Sequence, residues 1–137
     1  MILVRPAEPR DLPRLLVILA QCPEAGRWAE ADLRDGVLVA EIEGRVVGML
    51  LARAAVAEEA EVSTVAVEPA ARRQGAATAL LRTFLDSRRG EVFLEVRRSN
   101  LAAQGLYLTL GFTKVGVRTN YYAAPAEDPL LFRRATH

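Results

Sequence analysis

At 137 residues the chain has the length of one domain and enough residues to bury a core. Its 51% hydrophobic and 26% charged residues are ordinary globular composition, and a formal net charge of +1 provides no bulk field toward nucleic acid or a membrane surface. One cysteine, Cys22, excludes an internal disulfide, and the single, terminal histidine, His137, leaves no histidine triad and no histidine metal site.

No apolar run is long enough to span a bilayer. The opening Met1-Ile2-Leu3-Val4-Arg5-Pro6 lacks the basic-then-apolar pattern of a secretory signal, so a cytoplasmic location is expected. Ile2 to Arg5 reads as a short strand. Asp11 is placed to cap a helix that runs to about Ala20, with Pro13 in its first turn and Leu15, Ile18 and Leu19 on one face. Cys22 to Arg27 reads as a loop and Trp28 to Arg34 as a short helix ended by Asp35-Gly36. Val37–Ile42 and Val46–Ala54 form two apolar strands around a Glu43-Gly44 hairpin turn. Glu61 to Val67, rich in β-branched residues, is a third strand, closed by Glu68-Pro69.

After the loop Ala70 to Gly75, a helix to about Arg88 carries Ala77, Leu80, Leu81, Phe84 and Leu85 on one buried face. Val92 to Val96 is a short buried strand. Ser99-Asn100 can cap a helix over Leu101 to Leu110 that stops at Gly111. Phe112 to Tyr122 reads as a strand, and Leu130 to Phe132 as a last one, with Pro129 pointing to an edge position. Antiparallel strands followed by β-α-β-α-β predict a mixed α/β sheet covered by helices in a single domain, 1–137.

The segment from Val65 to Ala77 concentrates the chemistry. A strand ends, a loop of small residues follows, and a helix begins. The first N–H groups of a helix lack internal partners and carry partial positive charge, which suits a pyrophosphate. Gly75 and the flanking alanines let backbone approach an anion, and Arg72 and Arg73 add charge. The same residues equally describe a tightly packed helix start beside two solvated arginines. No lysine follows the glycine, so this is not a Walker loop, and it is not G-x-G-x-x-G.

Arg72-x-x-Gly75-x-Ala77 resembles the Q/R-x-x-G-x-G/A signature of the GNAT family of N-acetyltransferases. The run Leu94-Glu95-Val96-Arg97-Arg98-Ser99-Asn100, then Ala103, Tyr107 and Leu110-Gly111-Phe112, resembles the second half of that family. Asn120-Tyr121-Tyr122 and Glu127-Asp128 are similar to its RimI-type subgroup of ribosomal-protein alanine N-acetyltransferases. The resemblance is dense from Val62 onward and thin before it, where Trp28 is the clearest echo.

The resemblance implies a twisted mixed sheet of about seven strands flanked by about four helices. It implies acetyl-CoA as cosubstrate, no metal, and a protein or peptide N-terminus as acceptor, in a monomer or homodimer that binds neither nucleic acid nor membrane. Val65, Ala66 and Val67 would then bond the acetyl-pantetheine arm through their backbone. Arg73, Gln74, Gly75, Ala76, Ala77 and Thr78 would hold the pyrophosphate, and Asn100 the arm. Ala77 stands where glycine is common, and Thr78 where the subgroup often has a basic residue.

Glu95, set among apolar neighbours, is the implied base, since an amine must lose a proton before it attacks a thioester. On the strand pattern alone it reads as an exposed strand end. Tyr107 is the implied acid, a phenol able to donate to a leaving thiolate. Its alternative is a packed tyrosine. Tyr121 and Tyr122, adjacent on a strand, face opposite sides, and one of them can line a substrate groove. Cys22 reads as an inert loop cysteine and Trp28 as core. The expected cleft lies where Val65–Val67 and Val92–Val96 splay apart. A small-molecule amine as acceptor, or a non-catalytic acyl-CoA sensor, are the alternative functions.

Overall fold

The structure is a computed structural model, and it describes residues 1–56, 58–117 and 129–136. The strands are β1 (Ile2–Pro6), β2 (Val37–Ile42), β3 (Arg45–Val56), β4 (Glu59–Val67), β5 (Gly90–Arg97), β6 (Thr113–Val117) and β7 (Pro129–Thr136). The α-helices are α1 (Leu12–Ala20), α2 (Ala76–Asp86) and α3 (Leu101–Thr109). The seven strands form one mixed sheet in the order β1-β2-β3-β4-β5-β7-β6. Three α-helices, not four, are present among the described residues. The expected helix over Trp28–Arg34 is only a 3-10 turn, Glu30–Leu33. No helix among the described residues is long and apolar enough to cross a membrane.

The chain divides into two compact units, Met1–Arg53 with Ser63–Ser87, and Ala54–Val62 with Arg88–His137. In the first, the β2–β3 hairpin turns through Glu43 (φ 52°) and Gly44 (φ 77°), the positive φ pair of a tight two-residue turn. The inward residues Val39, Met49 and Leu51 pack with Leu15, Ile18 and Leu19 of α1. α2 buries Leu80, Leu81 and Leu85 as its periodicity predicts, while Ala77 and Phe84 of the expected face are only half-buried and Ala76 is buried instead; each fully buried leucine contributes about 1.5–3 kcal/mol.

Asp11 is the N-cap residue of α1, as expected, but its side chain makes no capping bond to that helix. A 3-10 turn over Pro9–Asp11 carries the helical path further back. The Asp11 carboxylate accepts from the Glu8 N–H (2.7 Å) and from both Arg5 Nη1 (2.8 Å) and Nη2 (3.0 Å). Arg5 also donates to Glu41 (2.8 Å), so β1, β2 and the start of α1 share one ion cluster.

In the second unit β4 and β5 pair in parallel from Glu59–Glu91 to Val62–Leu94. β5 pairs antiparallel with β7 along its whole length, from Gly90–Thr136 to Arg97–Pro129. The proline does not mark an edge strand, because β7 lies between β5 and β6. Pro129 is the first residue of β7, where a missing N–H costs the ladder little. The edge is β6, which covers only Thr113–Val117 of the predicted strand. Residues 118–122 of that prediction lie outside the described residues.

Candidate active site

The first unit supplies a strand end, a loop and a helix start. Along β4 burial alternates, with Thr64 and Ala66 buried and Ser63, Val65 and Val67 half-buried on the other face. Gly48 on β3 lets the backbones approach here, since a Cβ would sit 3.1 Å from the Ala66 carbonyl oxygen. After the 3-10 turn Pro69–Ala71, Arg73 adopts φ 67° and Gly75 φ 91°. Gly75 is the N-cap residue of α2 in the left-handed region, where any other residue is strained by about 1–2 kcal/mol.

No side chain caps α2, and its first internal bond is Ala79 N–H to the Gly75 carbonyl (2.9 Å). The N–H groups of Ala76, Ala77 and Thr78 thus head the helix without a side-chain cap, as an anion requires. Arg73, Gln74 and Gly75 are exposed beside them.

Arg72 is engaged by neighbours within the fold. Its Nε donates to the Val67 carbonyl (3.2 Å), and its Nη2 donates to Glu24 Oε1 (2.8 Å) and lies 3.5 Å from Cys22 Sγ. Cys22 is buried and donates to the same Val67 carbonyl (3.4 Å). Burial pushes its thiol pKa up, against the pull of Arg72, which suits an inert cysteine. The Ala25 carbonyl accepts from Thr64 Oγ1 (3.1 Å) and Trp28 Nε1 (2.7 Å). Trp28 packs against the core, with the Arg53 guanidinium 5.9 Å from its ring centroid. Segment 22–28 is therefore fastened to β4 and to the loop at several points.

Sequence reasoning missed Glu68, which is only 3% exposed. Its carboxylate takes Arg14 of α1 and Arg45 (3.0 Å) at the start of β3, while its N–H donates to the Val47 carbonyl (2.8 Å). This cluster fixes the point where β4 turns into the loop. Its partners lie 54 and 23 residues away, so no local pattern signals it.

The second unit holds both proposed proton-handling groups. Glu95 is half-buried on β5, between buried Leu94 and Val96 and opposite Leu131 of β7. The Tyr107 ring on α3 packs on Phe112 (centroids 5.8 Å apart) and edge-on to Phe132 (6.2 Å). Burial pushes its phenol up to about 12, so it stays protonated at neutral pH. Phe132 is the register partner of Leu94. Strand alternation places Leu94 and Phe132 on the Tyr107 side of the sheet and Glu95 on the opposite face, one residue along.

Asn100 caps α3 as predicted, its Oδ1 accepting from the Ala103 N–H (3.1 Å). Gln104 donates to the Arg97 (3.3 Å) and Arg98 (2.8 Å) carbonyls and ties α3 to the end of β5. Among the described residues no cluster suits a metal ion. Asn120, Tyr121, Tyr122, Glu127 and Asp128 lie outside the described residues.

Comparison with known proteins agrees with this geometry. The model of the acetyltransferase (GNAT) family matches residues 6–112. N-alpha-acetyltransferase RimI of Mycobacterium tuberculosis is 46% identical over 77 residues, covering 56% of this chain and 49% of that protein. The ribosomal protein bS18-alanine N-acetyltransferase of Escherichia coli is 45% identical over 71 residues, covering 49% and 48%. The matches thus span about half the length of these curated relatives. The crystal structure of the ribosomal-protein-S18-alanine N-acetyltransferase from Escherichia coli has a TM-score of 0.86 at 28% identity, over 98% of this chain and 94% of that one. Ard1 from Thermoplasma volcanium has a TM-score of 0.87 at 25% identity, over 99% and 98%.

Proposed function

Since the chain belongs to the acetyltransferase (GNAT) family, we propose that it moves an acetyl group from acetyl-CoA to the α-amine at a protein N-terminus. The observation that carries this reading is the uncapped start of α2 behind Gly75, at the end of the loop that follows β4. The backbone donors of Ala76, Ala77 and Thr78, with Arg73, Gln74 and Gly75, suit a pyrophosphate. Val65, Ala66 and Val67 flank the pantetheine arm, and the amide of Asn100 donates to it. The relatives named as α-amine and ribosomal-protein alanine acetyltransferases support the choice of acceptor.

The chain's own residues then have definite tasks. Glu95, directly or through a water, takes a proton from the acceptor ammonium, whose pKa is near ~8. The neutral amine forms the C–N bond as the thioester C–S bond breaks; the nitrogen then loses its second proton to water, and the departing thiolate takes up a proton from water. The backbone N–H near Val67 stabilises the charge that develops on the carbonyl oxygen. Tyr107 donates its hydroxyl hydrogen bond to the departing thiolate. With its phenol near 12 and a thiol near ~8.5, full proton transfer from Tyr107 is uphill, so its main effect is to lower the energy of the developing negative charge. Cys22 is buried with its thiol pKa raised, which fits direct transfer in a ternary complex and not a covalent enzyme intermediate.

Mass spectrometry of peptides incubated with the protein and acetyl-CoA tests the reading. Peptides with a free alanine or serine N-terminus are expected to gain an acetyl group. Peptides with a blocked N-terminus and an internal lysine are expected to gain none. Acetylation of neither set, with coenzyme A still bound, would exclude the peptide acceptor.

A further inference from the structure

Two neighbouring hydroxyls on β4 have opposite fates. Thr64 Oγ1 donates to the Ala25 carbonyl at 3.1 Å. Ser63 Oγ is also shielded from solvent, yet it has no hydrogen-bond partner among the described residues. A buried hydroxyl left unpaired costs about 1–3 kcal/mol. The strand evidently satisfies a hydroxyl that serves the fold, as at Thr64. The unpaired one is better placed for a ligand.

Strand alternation puts Ser63 on one face with Val65 and Val67. In the reading above, the pyrophosphate sits at the head of α2, beyond the C-terminal end of β4. The arm runs back along Val67 and Val65, so its acetyl end points toward the N-terminal end of the strand. Ser63 lies two residues further in that direction, ~6.6 Å beyond Val65. A polar group reached there belongs to the acceptor and not to the nucleotide.

We propose that Ser63 Oγ is a specificity-determining donor that binds the first peptide carbonyl of the acceptor, and so separates peptide α-amines from simple alkyl amines. The proposal rests on the acetyltransferase reading. A peptide N-terminus carries a carbonyl at a fixed short distance from its amine, whereas an alkyl amine has none. Only the first would satisfy the hydroxyl. A site built around a hydrogen bond disfavours the analogue that lacks it.

The test uses the full chain and the variants Ser63→Ala and Ser63→Thr. Thermal melts, coenzyme A binding, and acetylation of an alanine-terminated peptide and of an alkyl amine are measured for each. Ser63→Ala should keep or raise the melting temperature, since it removes an unpaired hydroxyl. It should raise KM for the peptide ~2–10-fold, the factor expected of one neutral hydrogen bond, and lower the preference for peptide over alkyl amine by the same factor. Coenzyme A affinity should stay within about twofold, and Ser63→Thr should retain the peptide KM.

A lower melting temperature with unchanged peptide kinetics would mean that the hydroxyl serves the fold, and would overturn the proposal. So would a rise in the acetyl-CoA KM alone. A wild-type protein that acetylates alkyl amines but no peptide would overturn the acceptor reading and the role of Ser63 together. Active wild type with unaltered Ser63→Ala would overturn Ser63 alone.

Discussion

Glu95 and Tyr107 meet different demands with different surroundings. Glu95→Gln removes the proton acceptor and keeps the side chain's size. At neutral pH it should lower kcat ~10²–10⁴-fold, the usual range for a general base. The deficit should shrink as pH rises past ~8, where the α-amine arrives already deprotonated. A pH–rate profile of the two proteins checks this, and full activity of the variant at neutral pH would remove Glu95 from the mechanism. Tyr107 is an acid with a raised folded pKa. The folded state therefore holds its proton more tightly than the unfolded state between pH 10 and about 12. Its contribution is intact below pH 10 and is lost as pH climbs through that window. Denaturant melts should show a steep alkaline loss in the wild type, softened in Tyr107→Phe.

At the scale of the element, Asn100 performs two tasks that substitution can separate. Asn100→Ala removes the α3 cap and should cost about 1 kcal/mol of stability. Asn100→Asp keeps an oxygen for the Ala103 N–H but loses the amide donors. It should hold the melting temperature near wild type while weakening acetyl-CoA binding, which calorimetry would register. The loop before α2 offers a similar separation. Arg72 bridges Val67 and Glu24, so the signature arginine braces segment 22–28. Both partners of the ion pair are roughly half exposed, so a double-mutant cycle on Arg72 and Glu24 should give a coupling of only about 0.2–1 kcal/mol. A coupling well above that range would show that the pair is better shielded than its exposure indicates.

For the molecule as a whole, acid sensitivity should be set by Asp11 in its ion pair with Arg5. Asp11 is 5% exposed, and its hydrogen bonds from Arg5 hold its carboxyl below the usual range. A depressed pKa stabilises the fold above the unfolded value, near ~3.9, and that stability is lost as pH falls through the folded value. Asp11→Ala removes one of the two carboxylates that hold Arg5, leaving it Glu41, and should cost about 1.5–3 kcal/mol at pH 7. Urea titrations between pH 2 and 7 should show a shallower acid limb for the variant. An unchanged acid limb would place the sensitivity elsewhere.

Much of the local structure was legible without coordinates. The i, i+3, i+4 pattern of α2, the Glu43-Gly44 turn, the Asn100 cap and the small-residue loop at Gly75 each depend on residues within a few positions of one another. The same locality explains the family resemblance carried by Arg72-x-x-Gly75-x-Ala77 and by the Glu95 to Phe112 segment. What local pattern could not carry was long-range pairing. Pro129 suggested an edge, yet β7 lies between two strands, because strand order depends on which chain segments meet. Asp11 stands at the helix cap, but Arg5 claims its carboxylate. Arg72 read from sequence as charge beside the anion loop, and the structure adds its bonds to Glu24 and Val67, partners set by tertiary contact. Glu68 and Ser63 gave no sign of their burial. Sequence by itself determined most of the elements, a helix start suited to an anion, and the family. Only the tertiary structure decided which charges are spent inside the fold and which hydroxyl is left over, because those outcomes depend on partners brought together across tens of residues.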